Sequence, residues 1–427
     1  MGVVKMPAYT DFWAKESRYS KVADVMPLKK FQKIRKFLHF ANNNEDDGDR
    51  YYKIRPLLER IRKNCLSIEQ EGKYSIDEMM VPYKGTRAGN RRQYMKGKPK
   101  KWGYKVFVRA GVSGLVYDFI IYGGEDTFRF NEFTSAESTM GFGAKVVIAL
   151  TKSIQNPACS VLYFDNFFCS LELVTYLRDN YGVFSLGTLR SNRLRGAQKL
   201  LKSDKYMKKN GRGSFCQIVS TKRKVVIVKW FDNKAIHLAS SFVDAHPLDE
   251  VLRYNKHIRA RSKVKCPQIV KQYNVHMGGV DLADMLVALY RTEFKGHRWY
   301  LVIFSQMLDI CVNNAWLLYR RDHKLSNQKP ALKLKCFRLN VAAALAAAGR
   351  DEIKPEDFKS PKIVTPSGPL PIDSIRYDCI GHWPAVDKKG RCRFCKLGQT
   401  TILCKKCKVR LCLMDKRNCF ESFHKGS

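Results

Sequence analysis

The spacing of apolar positions changes period along the chain. In residues 1–72, Phe31, Ile34, Phe37 and Leu38 recur at helical spacing among lysines and arginines, and residues 56–66 repeat the pattern. A polar break at 42–49 separates these two predicted helices. From Lys73 the period becomes that of strands, over 74–83, 103–112 and 116–122, with Ser113-Gly114 a hairpin signal between the last two. Residues 136–154 read as a helix, 161–168 (VLYFDNFF) as a strand buried on both faces, 170–180 as a helix and 182–189 as a strand. Three strands, helix, strand, helix, strand predicts a mixed α/β layer.

Residues 191–267 break that rhythm with basic loops and a β-rich pair, 224–231 and 235–242, and read as an insertion. Helices return at 280–290 and 298–320. A short alanine-rich helix follows, with Asn340 its N-cap and Gly349 its stop. Five prolines between Pro355 and Pro371 mark a linker. The expected organisation is a helical part (1–72), a core in two pieces (73–190 and 268–290) around the insertion (191–267), a second helical part (291–349), a linker (350–380) and a cysteine-rich module (381–427).

Charge narrows the partners. The chain has 78 Lys and Arg against 39 Asp and Glu, a formal +39 spread along its length, so a polyanion is the first partner to consider. No stretch approaches the ~18 consecutive apolar residues of a membrane span, and MGVVKMPAYT has no signal-peptide apolar run, so no membrane partner is expected. The acids matter by placement. Asp77 interrupts an apolar strand beside Ile76, Met79 and Met80, while alternation sends Glu78 to the opposite face. Asp165 ends the VLYF run, where an ionised carboxylate is costly unless something positive meets it. Asp281 and Asp284 share a helix face in GGVDLADML. That pair has a plain structural reading too, Asp281 as N-cap with Asp284 three residues on. The chemistry that needs all four is two-metal phosphoryl transfer, with Mg²⁺ ions about 4 Å apart clamping the attacking and leaving oxygens. Hard cations of that kind take carboxylate oxygens and water.

Between Lys84 and Arg109 lie ten basic residues and no acid. Lys84, Arg87, Arg91, Arg92, Lys98, Lys100 and Lys101 are candidate phosphate contacts, near Tyr94 and Trp102. Tyr104 and Phe107 belong to the following strand. Arg190, Arg193 and Arg195 form a second cluster, and Lys295, His297, Arg298 and Trp299 a third, in which Trp299 also fits a core position.

Of 14 cysteines, seven are scattered between Cys65 and Cys336 and Cys379 stands alone. The other six, Cys392, Cys395, Cys404, Cys407, Cys412 and Cys419, join His424 in a pattern of paired CxxC spacing, which is strong evidence for zinc. Eight ligands fill two sites, and the alternating order suggests a cross-brace. Pairs one (Cys392, Cys395) and three (Cys412, Asp415) would share one zinc, and pairs two (Cys404, Cys407) and four (Cys419, His424) the other. Asp415 is the expected eighth ligand and His382 its rival. So small a segment takes most of its folding energy from metal.

SIDEMMVPYKG, the KPKKWGYK block, FDNFFCS, GTLRSNR and GGVDLADM together resemble the piggyBac transposase family, in order, from about residue 10 to the C-terminus. The resemblance implies an RNase H-like catalytic fold, similar to retroviral integrases, with a triad at Asp77, Asp165 and Asp281 and a further acid at Asp284. It implies Mg²⁺-dependent cleavage and joining of double-stranded DNA at transposon ends and TTAA-type targets, in the nucleus. The insertion and the two helical parts, the latter as a dimerisation and DNA-binding domain of a homodimer, are implied too. So is a cysteine module that binds the transposon end. Family members carry further helices before the point where MGVVKMP begins, so a shortened N-terminus is expected. Alternative readings are a domesticated, catalytically silent DNA- or chromatin-binding protein, or a ligase-like or histone-reading cysteine module on a scaffold.

Overall fold

The alternation read at 74–83 becomes strand β1 (Lys73–Pro82) of a nine-stranded mixed sheet in the computed structural model. The described residues are 2–256, 258–294, 296, 298–326, 331–348, 371, 373–395 and 397–425, and the chain divides into two units, Met1–Ala346 and Ala347–Ser427. The other strands of the sheet are β2 (Gln93–Tyr94), β3 (Trp102–Gly111), β4 (Val116–Ile121), β5 (Val161–Phe164), β6 (Phe184–Leu189), β7 (Phe215–Ser220), β8 (Val225–Phe231) and β9 (Ala235–Ser240). Their order is β2-β3-β1-β5-β6-β9-β8-β7, with β4 also on β3. β5 is parallel to β1 and β6 to β5, and the remaining pairs are antiparallel. The β-rich pair at 224–242 therefore continues the central sheet, because β9 bonds to β6. β10 (Asp249–Asn255) and β11 (Ala260–Cys266) form a separate hairpin.

Both faces of the sheet are covered. Ile76, Phe107, Leu162 and Phe164 pack with the helices Phe142–Thr151 and Leu171–Tyr181. Met79, Val81, Val106 and Val108 pack with the helices Arg55–Leu66 and Trp299–Leu325. The helix read over 136–154 is two, Ser135–Ser138 and Phe142–Thr151. Gly141, in extended backbone, restarts it as N-cap. The alanine-rich helix begins six residues before Asn340, at Leu334, so Asn340 is interior and caps nothing. Phe337, its ring tilted against Tyr319 at 5.3 Å, and Arg338, paired with the buried Asp309, hold that earlier start. Gly349 and residues 350–370 of the expected linker lie outside the described residues.

The 27-residue helix Trp299–Leu325 is long and apolar enough by composition to cross a membrane. Here it carries buried Gln306, Asp309, Asn313 and Asn314 into the core of the first unit. Asn314 closes the end of β4, accepting from Val116 N at 3.0 Å and donating to Val116 O at 2.8 Å. A second polar cluster crosses β3 and β4. Arg62 grips the fully buried Asp118 with Nε at 2.6 Å and Nη2 at 3.2 Å, and the fully buried Arg109 donates to Ser153 Oγ at 3.1 Å.

In the second unit, β12 (Pro384–Arg391) and β13 (Gln399–Cys404) pair antiparallel, and the helix Cys419–Lys425 follows. Cys392, Cys404, Cys407, Cys412 and Cys419 are buried with Leu411, Phe420 and Phe423.

Candidate functional site

β1 and β5 run in a parallel register that sets Ile76 beside Phe164. One residue further on, Asp77 and Asp165 leave the apolar layer side by side. Burial pushes the Asp77 carboxyl up to about 7, with repulsion from Glu78 and Asp165 adding to it and Lys98 opposing it. Burial also raises Asp165, against the N–H groups of Phe167 and Phe168. The Phe167 N–H donates to Asp165 Oδ1 at 2.8 Å, which fixes the carboxylate just past the strand end.

The second pair of acids arrives on the helix Gly279–Leu289, which lies against β1 and β3. Val280 N–H donates to Ser75 Oγ at 3.1 Å. A Cβ on Gly279 would stand 2.3 Å from Gly111 O and 2.7 Å from Ser75 Oγ, so only glycine permits this approach. Gly278 is the N-cap and Asp281 the third helical residue, so the capping reading of Asp281 is corrected. Its side chain is 74% exposed. Asp284 is 31% exposed and lies 3.4 Å from Arg291 Nη2. Burial raises its carboxyl, and Arg291 and Lys98 oppose that.

Lys98 reaches both pairs. Its Nζ donates to Glu78 O at 3.0 Å and lies 4.0 Å from Asp281 Oδ1. Lys105, opposite Met80 on β3, is lowered by burial, while Glu78, Asp77 and Asp165 pull it the other way. Sequence reasoning missed both Lys105 and the influence of Glu78, whose closeness depends on the β1–β3 pairing. Among the described residues, three or more acidic, cysteine or histidine donors lie within 4.8 Å of one another only in two cysteine-histidine groups. The aspartates stand instead as a strand pair and a helix pair, with Lys98 between them.

The basic candidates divide. Lys84, Lys100, Lys101 and Arg190 are exposed. Arg190 Nε also donates to Asn166 Oδ1 at 3.0 Å, beside Asp165. Others are already engaged within the fold. Arg91 donates to Arg50 O at 2.7 Å and lies 4.8 Å over the Trp299 ring. Arg92 lies 4.3 Å over Trp102. Arg193 Nη1 donates to the carbonyls of Asn166, Phe167 and Cys169 at 3.0, 3.1 and 2.7 Å, pinning the loop after Asp165. Arg298 Nη1 lies 3.3 Å from Tyr300 OH, and Trp299 packs edge-on to Tyr51 in the core. The Arg87 side chain, Lys295 and His297 fall outside the described residues.

In the second unit eight donors form two groups, Cys392, Cys395, Cys412 and Cys419 in one, His382, Cys404, Cys407 and His424 in the other. A tetrahedral zinc site with Zn–S near 2.3 Å has S···S edges of about 3.8 Å, so a spread within 4.8 Å fits the ion. The expected partition is corrected at three residues. Asp415 is exposed and belongs to neither group, His382 fills the eighth place, and Cys419 changes site. The reason is the helix Cys419–Lys425. Positions five apart on a helix are separated by about 140° and 7.5 Å, and here Cys419 faces the four-cysteine group while His424 faces the other. Each histidine is oriented from behind. His382 Nδ1 lies 3.5 and 3.4 Å from Cys404 and Cys407 Sγ, with Nε2 3.0 Å from Asp378 Oδ1. His424 Nε2 lies 3.4 Å from Cys407 Sγ, with Nδ1 2.7 Å from Phe420 O. A carboxylate or carbonyl behind the imidazole is the usual support of a metal-binding histidine. The backbone N–H groups of Gly398 and Leu397 pull the Cys395 thiol down to about 6, favouring thiolate.

A family model described as Transposase IS4 matches residues 1–316. Human PiggyBac transposable element-derived protein 2 is 30% identical over 403 residues, covering 92% of this chain and 64% of that protein. Human PiggyBac transposable element-derived protein 3 is 32% identical over 419 residues, covering 96% of this chain and 66% of that protein. The chain thus spans about two thirds of the length of these relatives. A cryo-EM structure of a piggyBac transposase synaptic complex with hairpin DNA matches with a TM-score of 0.69 at 20% identity, covering 96% of this chain and 84% of that one, a likeness of fold. With the family model spanning most of the first unit and both human relatives aligning along nearly the whole chain, this protein belongs to the piggyBac-type Transposase IS4 family.

Proposed function

We propose that the first unit is an RNase H-like DNA transposase core that cleaves and joins double-stranded DNA, with Asp77, Asp165 and Asp281 as ligands of two Mg²⁺ ions and Asp284 the additional acid. The observation that carries this reading is the paired placement of Asp77 and Asp165 on adjacent parallel strands, with a glycine-docked helix bringing Asp281 and Asp284 to β1. Mg²⁺ bound there would supply charge for the attacking and leaving oxygens of a phosphodiester. The protein's own part is to hold two carboxylates where their repulsion demands a cation. Arg193 fixes the loop after Asp165, and exposed Lys84, Lys100, Lys101 and Arg190 supply phosphate contacts. A solved structure of this fold is a piggyBac transposase complex with hairpin DNA, which supports DNA as partner, and the family supports the nucleus as address. A homodimer and TTAA-type targets follow from family resemblance. The second unit holds two zinc ions and binds the DNA end.

The test is incubation of purified protein with Mg²⁺ and duplexes carrying the flanking terminal repeats. Nicks at the repeat ends are expected, abolished by Asp77→Asn, Asp165→Asn or Asp281→Asn with DNA binding retained. Full cleavage by any of these variants would sink the assignment. A second reading, a domesticated DNA- or chromatin-binding protein without cleavage, is favoured by one observation. Lys98 already puts a positive charge between Glu78 and Asp281. DNA binding without nicking at any Mg²⁺ concentration selects it.

A further inference from the structure

The β10–β11 hairpin alternates between two environments from Asp249 to Asn255 and from Arg261 to Cys266. Val251, Arg253, Asn255, Ser262, Val264 and Cys266 turn inward. Val264 and Cys266 are buried in a core with Val228, Trp230 and Leu238, and Trp230 Nε1 donates to Lys265 O at 3.0 Å. Arg253 pairs with Asp232 at 2.9 Å, and Arg212, which also pairs with Asp232, donates to Tyr254 O at 2.9 Å. The ribbon is therefore fixed to the sheet end. Its other face is open. Leu252 and Tyr254 are 58% and 57% exposed, and Lys256, Arg261, Lys263 and Lys265 stand around them. Arg259 at the tip is exposed as well, with Ile258 beside it. The one acid on this face, Glu250, is paired with Lys263 at 2.9 Å.

We infer that this ribbon enters the major groove of duplex DNA, Tyr254 and Leu252 against base edges and Lys256, Arg261 and Lys265 on the phosphates to either side. The inference rests on the reading of the chain as a DNA-binding protein. Width and charge argue for the groove: B-DNA's major groove, about 12 Å wide, admits a two-stranded ribbon, and the face is apolar along its middle with cations at its edges.

The experiment compares Lys256→Gln/Arg261→Gln/Lys265→Gln with the unsubstituted full-length zinc-loaded protein, by fluorescence anisotropy on a mixed-sequence DNA duplex at several salt concentrations. Circular dichroism and zinc content control for folding. The slope of log affinity against log salt should fall by about 2 to 3, near 0.9 for each phosphate that is no longer neutralised. The charge-keeping triple variant Lys256→Arg/Arg261→Lys/Lys265→Arg should retain the original slope. On an RNA duplex of the same sequence, whose deep narrow major groove excludes a ribbon, the two proteins should bind alike. A folded neutral variant with the parent's slope on DNA overturns the inference while leaving the DNA-binding reading intact. An equal loss on RNA overturns groove insertion. Failure of the parent to bind any duplex overturns both.

Discussion

Replacing His382 with alanine removes one donor from the group it forms with Cys404, Cys407 and His424 and leaves the four-cysteine group whole. Structural zinc contributes about 10–16 kcal/mol to folding in small metal-dependent domains, so a site reduced to three donors loses much of that and its ion leaves. Bound zinc should fall from two ions per chain to one. Substituting cobalt makes the assignment sharper, because thiolate-to-metal charge transfer scales with the number of coordinated sulfurs. The intact pair of sites presents four sulfurs in one and two in the other. His382→Ala should therefore keep two thirds of the charge-transfer intensity, and Cys419→Ala only one third. Asp415→Ala should change neither metal content nor intensity. Under the cross-brace expected from spacing, with Asp415 as ligand and Cys419 beside His424, each site would hold three cysteines, so Asp415→Ala would release a metal and Cys419→Ala would keep half of the intensity. A full-length protein that loses metal on Asp415→Ala, or keeps both ions after His382→Ala, refutes the helix argument that separates Cys419 from His424.

Three further outcomes follow from the first unit. Asp118→Ala takes the carboxylate away from the fully buried Arg109 and leaves Arg62 with Glu59 at 4.0 Å, and should lower stability by about 3–5 kcal/mol in urea titrations. Asp77 has a folded-state pKa raised to about 7, so the native state binds the extra proton between about pH 4 and 7, and stability falls as pH rises through that window. Without added divalent cation, Asp77→Asn should therefore stabilise the protein, more at pH 8 than at pH 5 and by up to about 4 kcal/mol; an equal effect at both pH values contradicts the raised pKa. Gly279→Ala drives a methyl group into Gly111 O and should cut DNA nicking about a hundredfold through misplacement of Asp281 and Asp284, whereas Gly278→Ala, with open space around it, should not.

The parts of the fold that were legible are those whose residues meet one environment per face. β1, β3 and β5 read as strands because apolar and aromatic residues dominate each run between turn signals. Asp77 and Asp165 stood out for the same reason, as charges intruding on such runs. β7 was missed because FCQIVS is half-exposed throughout. The β10–β11 hairpin escaped because leucine and tyrosine share its outer face with lysine and arginine, which erases the alternation of hydrophobicity though not of burial. Arg91 and Arg193 read as DNA contacts from composition and Trp299 stayed open between DNA and core, because their neighbours Arg50, Cys169 and Tyr51 are remote in sequence or reached only through backbone carbonyls. His382 was sited wrongly because the helix that begins at Cys419 carries too little periodicity in seven residues to be read.

The two kinds of metal chemistry proposed for this chain differ in legibility for one physical reason. Soft thiolate sites are built from tight turns that deliver two ligands each, so spacing alone exposes them. A hard-cation centre is assembled across a sheet, and its ligands must also be kept apart until a cation arrives. Here the separation is maintained by a backbone contact and a lysine. Gly279 lets the helix touch β1 at Ser75, which sets the distance from Asp77 to Asp281, and Lys98 bridges the gap through Glu78 O. Without that lysine, Asp77, Glu78 and Asp165 would face the helix acids with Lys105, Arg190 and Arg291 left to offset them. The KPKKWGYK block is therefore not merely a phosphate-binding strip. Its first lysine belongs to the acidic centre, while Lys100 and Lys101, two and three residues on, stay in solvent. One loop thus joins the carboxylates to the surface expected to meet DNA.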